Sequence, residues 1–260
     1  MRRIVLSASA AVVLTLILAS DGLAQQKTPV YGGVLRVITN NTPQMMSYVP
    51  MMGPGDRTVI FPAAEALVDT TKERQTTSGI EPVLAEKVVE DPKKLTITFY
   101  IRKGVKFHDG SELTAEVARW NIQQVVDAKA LPFSAYLKGM RVTDKYTLVM
   151  DLTEYSNQLV PSWGWWSAMY SKEAWEKASG GDLEKGKEWA RSHVVGTGPF
   201  MLKEYKRDVS STWVKNPNYW RKSRPYLDGM EFKYIPDPMT ASTMMQAKEA
   251  DVWDTADAKN

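Results

Sequence analysis

Two histidines and no cysteine restrict the chemistry this chain can carry. His108 stands beside Asp109, and an adjacent imidazole and carboxylate can ligate a metal. The only other imidazole is His193, so a full ligand set would have to draw on carboxylates that the sequence does not group around either histidine. The phrase from Gly104 to Gly110 reads instead as a turn after a strand. Neither histidine lies in a nucleophile-elbow context, so a triad has no base to build on. Gly196-Thr-Gly198 is too short for a phosphate loop and no Lys follows it; it reads as a tight turn at a crossing between parts of the fold. No catalytic residue, metal ligand or cofactor is therefore expected.

Side chains suited to binding are more plentiful. Trp163, Trp165, Trp166 and Tyr170 cluster after Pro161, and Trp175 follows. Indole rings combine a large apolar face with one N–H donor and suit stacking on sugars or flat ligands, although the same rings also fill cores. Adjacent Trp165 and Trp166 must diverge, so at least one of them points inward. Met51-Met52-Gly53 lies in an irregular segment, residues 40–56, rich in Pro, Gly and Met. Long loops of that kind in compact domains are commonly functional, and mobile thioethers tolerate varied ligands.

These candidates need a scaffold, and its elements can be read from periodicity. Val34 to Thr39 is a buried strand. Ala63 to Val68 has the look of a short helix. In Leu95 to Ile101, Leu95, Ile97, Phe99 and Ile101 point one way and Thr96, Thr98 and Tyr100 the other. Thr114 opens a helix as N-cap, with Ala118, Ile122, Val125 and Val126 as its buried stripe. Residues 140–143 and 147–152 flank Asp144-Lys145 as a hairpin. Gly180-Gly181 separates a short helix around Ala174 from a polar helix over 182–192. Residues 200–205 and 210–214 form antiparallel strands, and 230–235 alternates Met, Phe and Tyr inward. Asp237-Pro238 starts a helix bearing Ala241, Met244, Met245 and Lys248, and Asp251 begins a last strand. Strands and helices mix without strict alternation, which predicts an α/β architecture with a partly antiparallel sheet.

Composition agrees with a globular protein: 43% hydrophobic and 24% charged residues over 260 positions, with a net charge of +3 spread in both signs. Without basic runs, nucleic acid is an unexpected partner. The first residues differ from the rest. Arg2-Arg3, an apolar stretch from Ile4 to Ala19 and the small-residue segment before Gln25 match a secretory signal over residues 1–24, shorter than the roughly 20 apolar residues of a membrane span. With no thiol for lipid attachment, cleavage after Ala24 is expected to release the chain into the periplasm.

Several phrases, in order, resemble the extracellular solute-binding proteins typified by the oligopeptide- and dipeptide-binding proteins of ABC importers. They are Tyr31 to Val37, Ala64 to Val68, Glu81 to Lys87, and above all Ile101-Arg-Lys-Gly-Val-Lys-Phe-His-Asp-Gly110 with Leu113 to Glu116. Gly196 to Phe200, Asn216 to Trp220 and Ala250 to Val252 complete the series. The chain departs from the pattern at Val117 and at Lys248-Glu249. The resemblance implies a periplasmic-binding-protein fold of the class II, peptide-binding type. Its first lobe would be built from residues 25–69 and 194–260, with 70–193 as an inserted subdomain, and the second lobe would be missing. It also places the Met51 loop at the cleft, Trp253 and Asp254 near the hinge, and Tyr136 near a cleft-facing tyrosine. Ligand would be a peptide, oligosaccharide or similar solute, passed to permease subunits of an ABC importer by a monomeric receptor. The alternative is a half-receptor serving as a periplasmic interaction or sensor module, and a hydrolase stands a distant third.

Overall fold

The computed structural model describes residues 29–69, 80–130 and 132–254, so the signal segment lies outside the described residues. Two sheets divide the described chain by sequence. The first holds β1 (Val34–Thr39), β8 (Phe200–Lys206), β9 (Ser210–Lys215), β10 (Gly229–Tyr234) and β11 (Val252–Asp254), in the order β11-β1-β10-β9-β8. β1 runs parallel to both β10 and β11, while β9 and β8 continue antiparallel. The second sheet is antiparallel, in the order β4-β5-β7-β6, from β4 (Ala85–Asp91), β5 (Thr96–Ile101), β6 (Leu137–Asp144) and β7 (Thr147–Leu152). A small pair, β2 (Val68–Asp69) and β3 (Glu81–Pro82), lies between them in sequence. The architecture is mixed α/β, as the element pattern predicted.

Alternation decides where the cores lie. Val37 faces the main cluster, which includes Ile97, Phe99 and Ile101 of β5 and Phe232 and Tyr234 of β10. Ile38 faces the other side of the sheet and packs with Ala241 and Ala250. β1 is thus apolar on both faces at its carboxyl half, as expected of a strand with parallel neighbours on either side. The helices follow their caps. α2 (Ala115–Asp127) begins where the Thr114 side chain accepts the Val117 N–H, and it buries Ala118, Ile122 and Val125. Ser171 caps α4 (Lys172–Ser179), Asp182 caps α5 (Leu183–Ala190), and Asp237 caps α6 (Pro238–Gln246). Gly180 takes the left-handed conformation, φ 60°, that closes α4.

Two readings of the sequence need correction. The helix expected at 63–68 is instead α1 (Pro54–Ile60), which starts inside the segment read as loop. Gly53 is its N-cap, Pro54 occupies N1, and Asp56 at N3 accepts the Gly53 N–H; Pro62 has no N–H to carry the helix on. The apolar pattern at 63–68 arises because that stretch, an extended segment ending in β2, is buried between other elements. A helix was also missed, α3 (Leu159–Trp166), whose residues are apolar all round and carry no periodic stripe. Trp253, which the resemblance sets near the hinge, is half-buried against the small cluster of Ile38, Ala241 and Ala250.

Edge strand β11 is fastened by Asp251. Its carboxylate accepts the Arg36 backbone N–H at 2.9 Å and the guanidinium at 2.8 and 3.2 Å, and its own N–H donates to the Arg36 carbonyl at 2.8 Å. These bonds to Arg36 hold the Asp251 carboxyl at a pKa of about 2, below the usual range. Because the folded value is depressed, the fastening is complete above pH 4 and fails as pH falls toward 2. Amide protection in β11, taken relative to the intrinsic exchange rate at each pH, should therefore fall between pH 4 and pH 2, and Asp251→Asn should show the lower protection already at pH 6. Equal protection in both proteins at pH 6 would refute this account of the edge.

Candidate functional site

Parallel strands gather their carboxyl ends at one edge. The registers pair Thr39 with Tyr234 and with Asp254, so β10, β1 and β11 finish side by side. In open α/β sheets this is where ligands bind, because the loops leaving such an edge line one crevice. Here the loop from Asn40 to Gly53 leaves β1, and α6 starts just beyond β10.

The loop is held by polar bonds rather than by regular structure. Buried Asp56 accepts N–H groups from Gln44 at 2.7 Å and Gly53 at 2.8 Å, drawing the two ends of the loop onto one carboxylate. The Tyr205 hydroxyl donates to the Pro43 carbonyl at 2.8 Å, and the N–H groups of Met46 and Ser47 donate to the Ala190 carbonyl at 2.8 and 3.2 Å. Met45 and Met46 are buried, and Tyr48 stacks on Trp175 with centroids 5.4 Å apart. With its neighbours anchored, Met51 stands 46% exposed while Met52 is only 7% exposed. Asp56→Ala should cost roughly 1–2 kcal/mol, since the partly buried N–H groups of Gln44 and Gly53 lose their acceptor. It should also raise amide exchange across 44–53, and unchanged exchange there would count against Asp56 as the organiser.

The other expected site residues distribute unevenly. Trp253 and Asp254 pair with Ile38 and Thr39 at the carboxyl end of β1, and Trp253 packs against the cluster of Ile38, Ala241 and Ala250. Trp163 is 1% exposed and belongs to the core, which corrects its expected role: its ring has no surface left for a ligand. Trp166 is half-buried with the Arg57 guanidinium 4.4 Å from its ring centre, and a small cavity of about 30 Å³ bounded by Met52, Arg57 and Gly164 joins α1 to α3. The Trp165 side chain lies outside the described residues. Tyr136 opens the other sheet at the start of β6 and packs against the main core. Sequence reading overlooked Asp56 and Arg57, since a Gly-Asp-Arg triplet in a loop carries no periodic signal.

His108 is structural. Its Nδ1 accepts the Gly196 N–H at 3.3 Å and its Nε2–H donates to the Gly198 carbonyl at 3.0 Å, while its own backbone N–H donates to the Gly196 carbonyl at 2.9 Å. Burial lowers its pKa, which favours the neutral ring that this pair of bonds requires. Glu65 anchors the neighbouring turn: one oxygen accepts Tyr219 Oη–H at 2.7 Å, the other Trp220 Nε1–H at 2.7 Å and Thr197 Oγ1–H at 3.0 Å. Burial raises the Glu65 pKa against the pull of those donors. Among the described residues no three His, Asp or Glu side chains come together as a metal site, and no helix is long and apolar enough to cross a membrane.

Comparison with known proteins places this geometry. Residues 79–260 match the family model for bacterial extracellular solute-binding proteins, family 5 Middle. Heme-binding protein A of Haemophilus influenzae is 31% identical over 198 residues, covering 67% of this chain and 35% of that protein. Oligopeptide-binding protein AppA of Bacillus subtilis is 33% identical over 172 residues, covering 63% and 31%. The AppA structure, solved with a nonapeptide, superposes with a TM-score of 0.74 at 26% identity over 88% of this chain and 45% of that one. The periplasmic binding protein DppA of Helicobacter pylori, in complex with the peptide STSA, gives 0.75 at 22% identity over 85% and 46%. The chain thus spans about a third to a half of the length of these relatives, and its fold is that of the periplasmic binding proteins. The chain belongs to the bacterial extracellular solute-binding proteins of family 5.

Proposed function

We propose that this chain supplies the first lobe of a substrate-binding protein of an ABC importer, capturing a peptide or a similar small organic solute outside the inner membrane. The observation that carries the reading is the shared carboxyl edge of β10, β1 and β11, with the loop that leaves β1 there anchored so that Met51 stands outward. An exposed, flexible thioether on the loop that leaves the carboxyl end of β1 suits a ligand of variable shape, because it can adapt to varied side chains. Relatives named for oligopeptides and for di- and tripeptides favour the peptide class over sugars. Residues 70–193 would then form an inserted subdomain, a division that suits the separate four-stranded sheet of 85–152. Its partners would be permease subunits, its place the periplasm, and its role transport rather than catalysis.

The test is a titration of the protein, labelled at methionine methyl groups, with a tripeptide up to millimolar concentration. The Met51 resonance should shift saturably, and Met51→Ala should weaken binding at least about fivefold. Peptide binding that leaves Met51 unmoved, or no binding at all, would sink this reading of the edge.

A further inference from the structure

We infer that the opposite edge of the five-stranded sheet holds a second site, for an oxyanion carried on an apolar or aromatic body. The registers set Val34, Gly229, Val214 and Met201 at one end of the sheet, away from the carboxyl ends of β1 and β10. There the connection between β9 and β10 folds over the segment after α1 and encloses a cleft of about 340 Å³. Its walls include Phe61, Val83, Phe200 and Tyr226, and Phe61 is 56% exposed although it is a large apolar side chain.

Two guanidiniums line the same cleft. Arg221 lies 4.7 Å from the ring centre of Trp220 and Arg224 5.3 Å from that of Tyr226. Stacking holds each cation over an aromatic face but leaves its N–H fork unused, and neither side chain makes a hydrogen bond or close ion pair among the described residues. Glu65 also lines the cleft and draws on the Arg221 charge from a distance, yet both its oxygens are already occupied by Tyr219, Trp220 and Thr197. Asp69, a further liner, has its own partner. The donors left over are therefore the two forks, beside apolar walls. A planar carboxylate or a phosphate accepts such forks, and an attached aromatic or branched apolar group would cover Phe61. This site stands apart from the peptide-binding reading and does not depend on it.

The test uses N-acetyl-phenylalanine, its uncharged amide, phenyl phosphate and inorganic phosphate as probes, with tryptophan fluorescence and calorimetry as readouts. The acid or phenyl phosphate should bind saturably, at least about tenfold more tightly than the amide, and whichever of the two is preferred identifies the anion. Arg224→Gln, a change at an exposed side chain with little bearing on the fold, should weaken that binding at least about fivefold; Arg221→Gln should do the same and remove the Trp220 signal. Equal affinity for acid and amide, inorganic phosphate binding as well as phenyl phosphate, indifference to Arg224→Gln in a protein that melts normally, or no binding at millimolar concentration would each overturn the assignment.

Discussion

Gly196→Ala should destabilise the protein by about 3 kcal/mol or more, enough to unfold a domain of ordinary stability in part at room temperature. A Cβ at that position would lie 1.9 Å from the Ala63 carbonyl oxygen and 2.7 Å from its carbon. Both obstacles are backbone, so no rotamer change relieves them. Relief would require the 62–64 segment to withdraw, which would break the Gly198 N–H bond to the Ala63 carbonyl at 2.8 Å and the Phe200 N–H bond to the Pro62 carbonyl at 2.9 Å. It would also pull on the His108 latch, whose ring bonds both Gly196 and Gly198. Gly139→Ala is the control, since a Cβ there meets nothing within 4 Å; it should change stability by less than about 1 kcal/mol. Urea unfolding of both variants decides the matter. If Gly196→Ala melts within about 0.5 kcal/mol of the parent, the close approach of the two segments is not what the glycine serves.

That junction shows how far the sequence could be read. The Gly-Thr-Gly phrase was legible as a turn, and His108 as structural, because too few partners existed for any chemistry. What it could not reveal is that the two are one device, since His108 and Gly196 lie 88 residues apart and only the folded chain closes the gap. The strands of alternating pattern, β5 and β10, were legible because one face is more buried than the other, whereas β7, buried on both faces at Leu148 to Met150, was legible from the Asp144-Lys145 turn before it. Residues 63–68 and α3 misled in another way: both are largely apolar runs without a clear polar period, and in so short a run the apolar pattern does not separate helix from strand. At the candidate site, the irregular Met-rich loop was legible, but not that it buries Met45, Met46 and Met52 and leaves Met51 outward. Asp56 was not legible either, because its value comes from two backbone N–H groups 12 and 3 residues away.

The tryptophans separate core from surface most sharply. Trp163→Ala should cost about 3–5 kcal/mol, because a buried indole is lost along with the packing around it, and the cavity collapses only in part. The ring is among the largest fully buried side chains, and α3 packs beside β2 in the main cluster, so no solvent can refill the space without meeting apolar walls. Trp166→Ala should cost far less, on the order of 1 kcal/mol or 2, since that ring is half-buried and loses chiefly its contact with Arg57. The gap between the two, on one helix and three residues apart, is a test that propensity cannot explain, because both substitutions favour the helix equally. Trp163→Phe should recover part of the loss by refilling some of the volume, whereas Trp166→Phe should keep most of the Arg57 stacking. Chemical denaturation of the four variants gives the comparison directly. If Trp163→Ala proves as mild as Trp166→Ala while peptide affinity falls, then Trp163 belongs to a binding surface and the packing assigned to α3 is wrong.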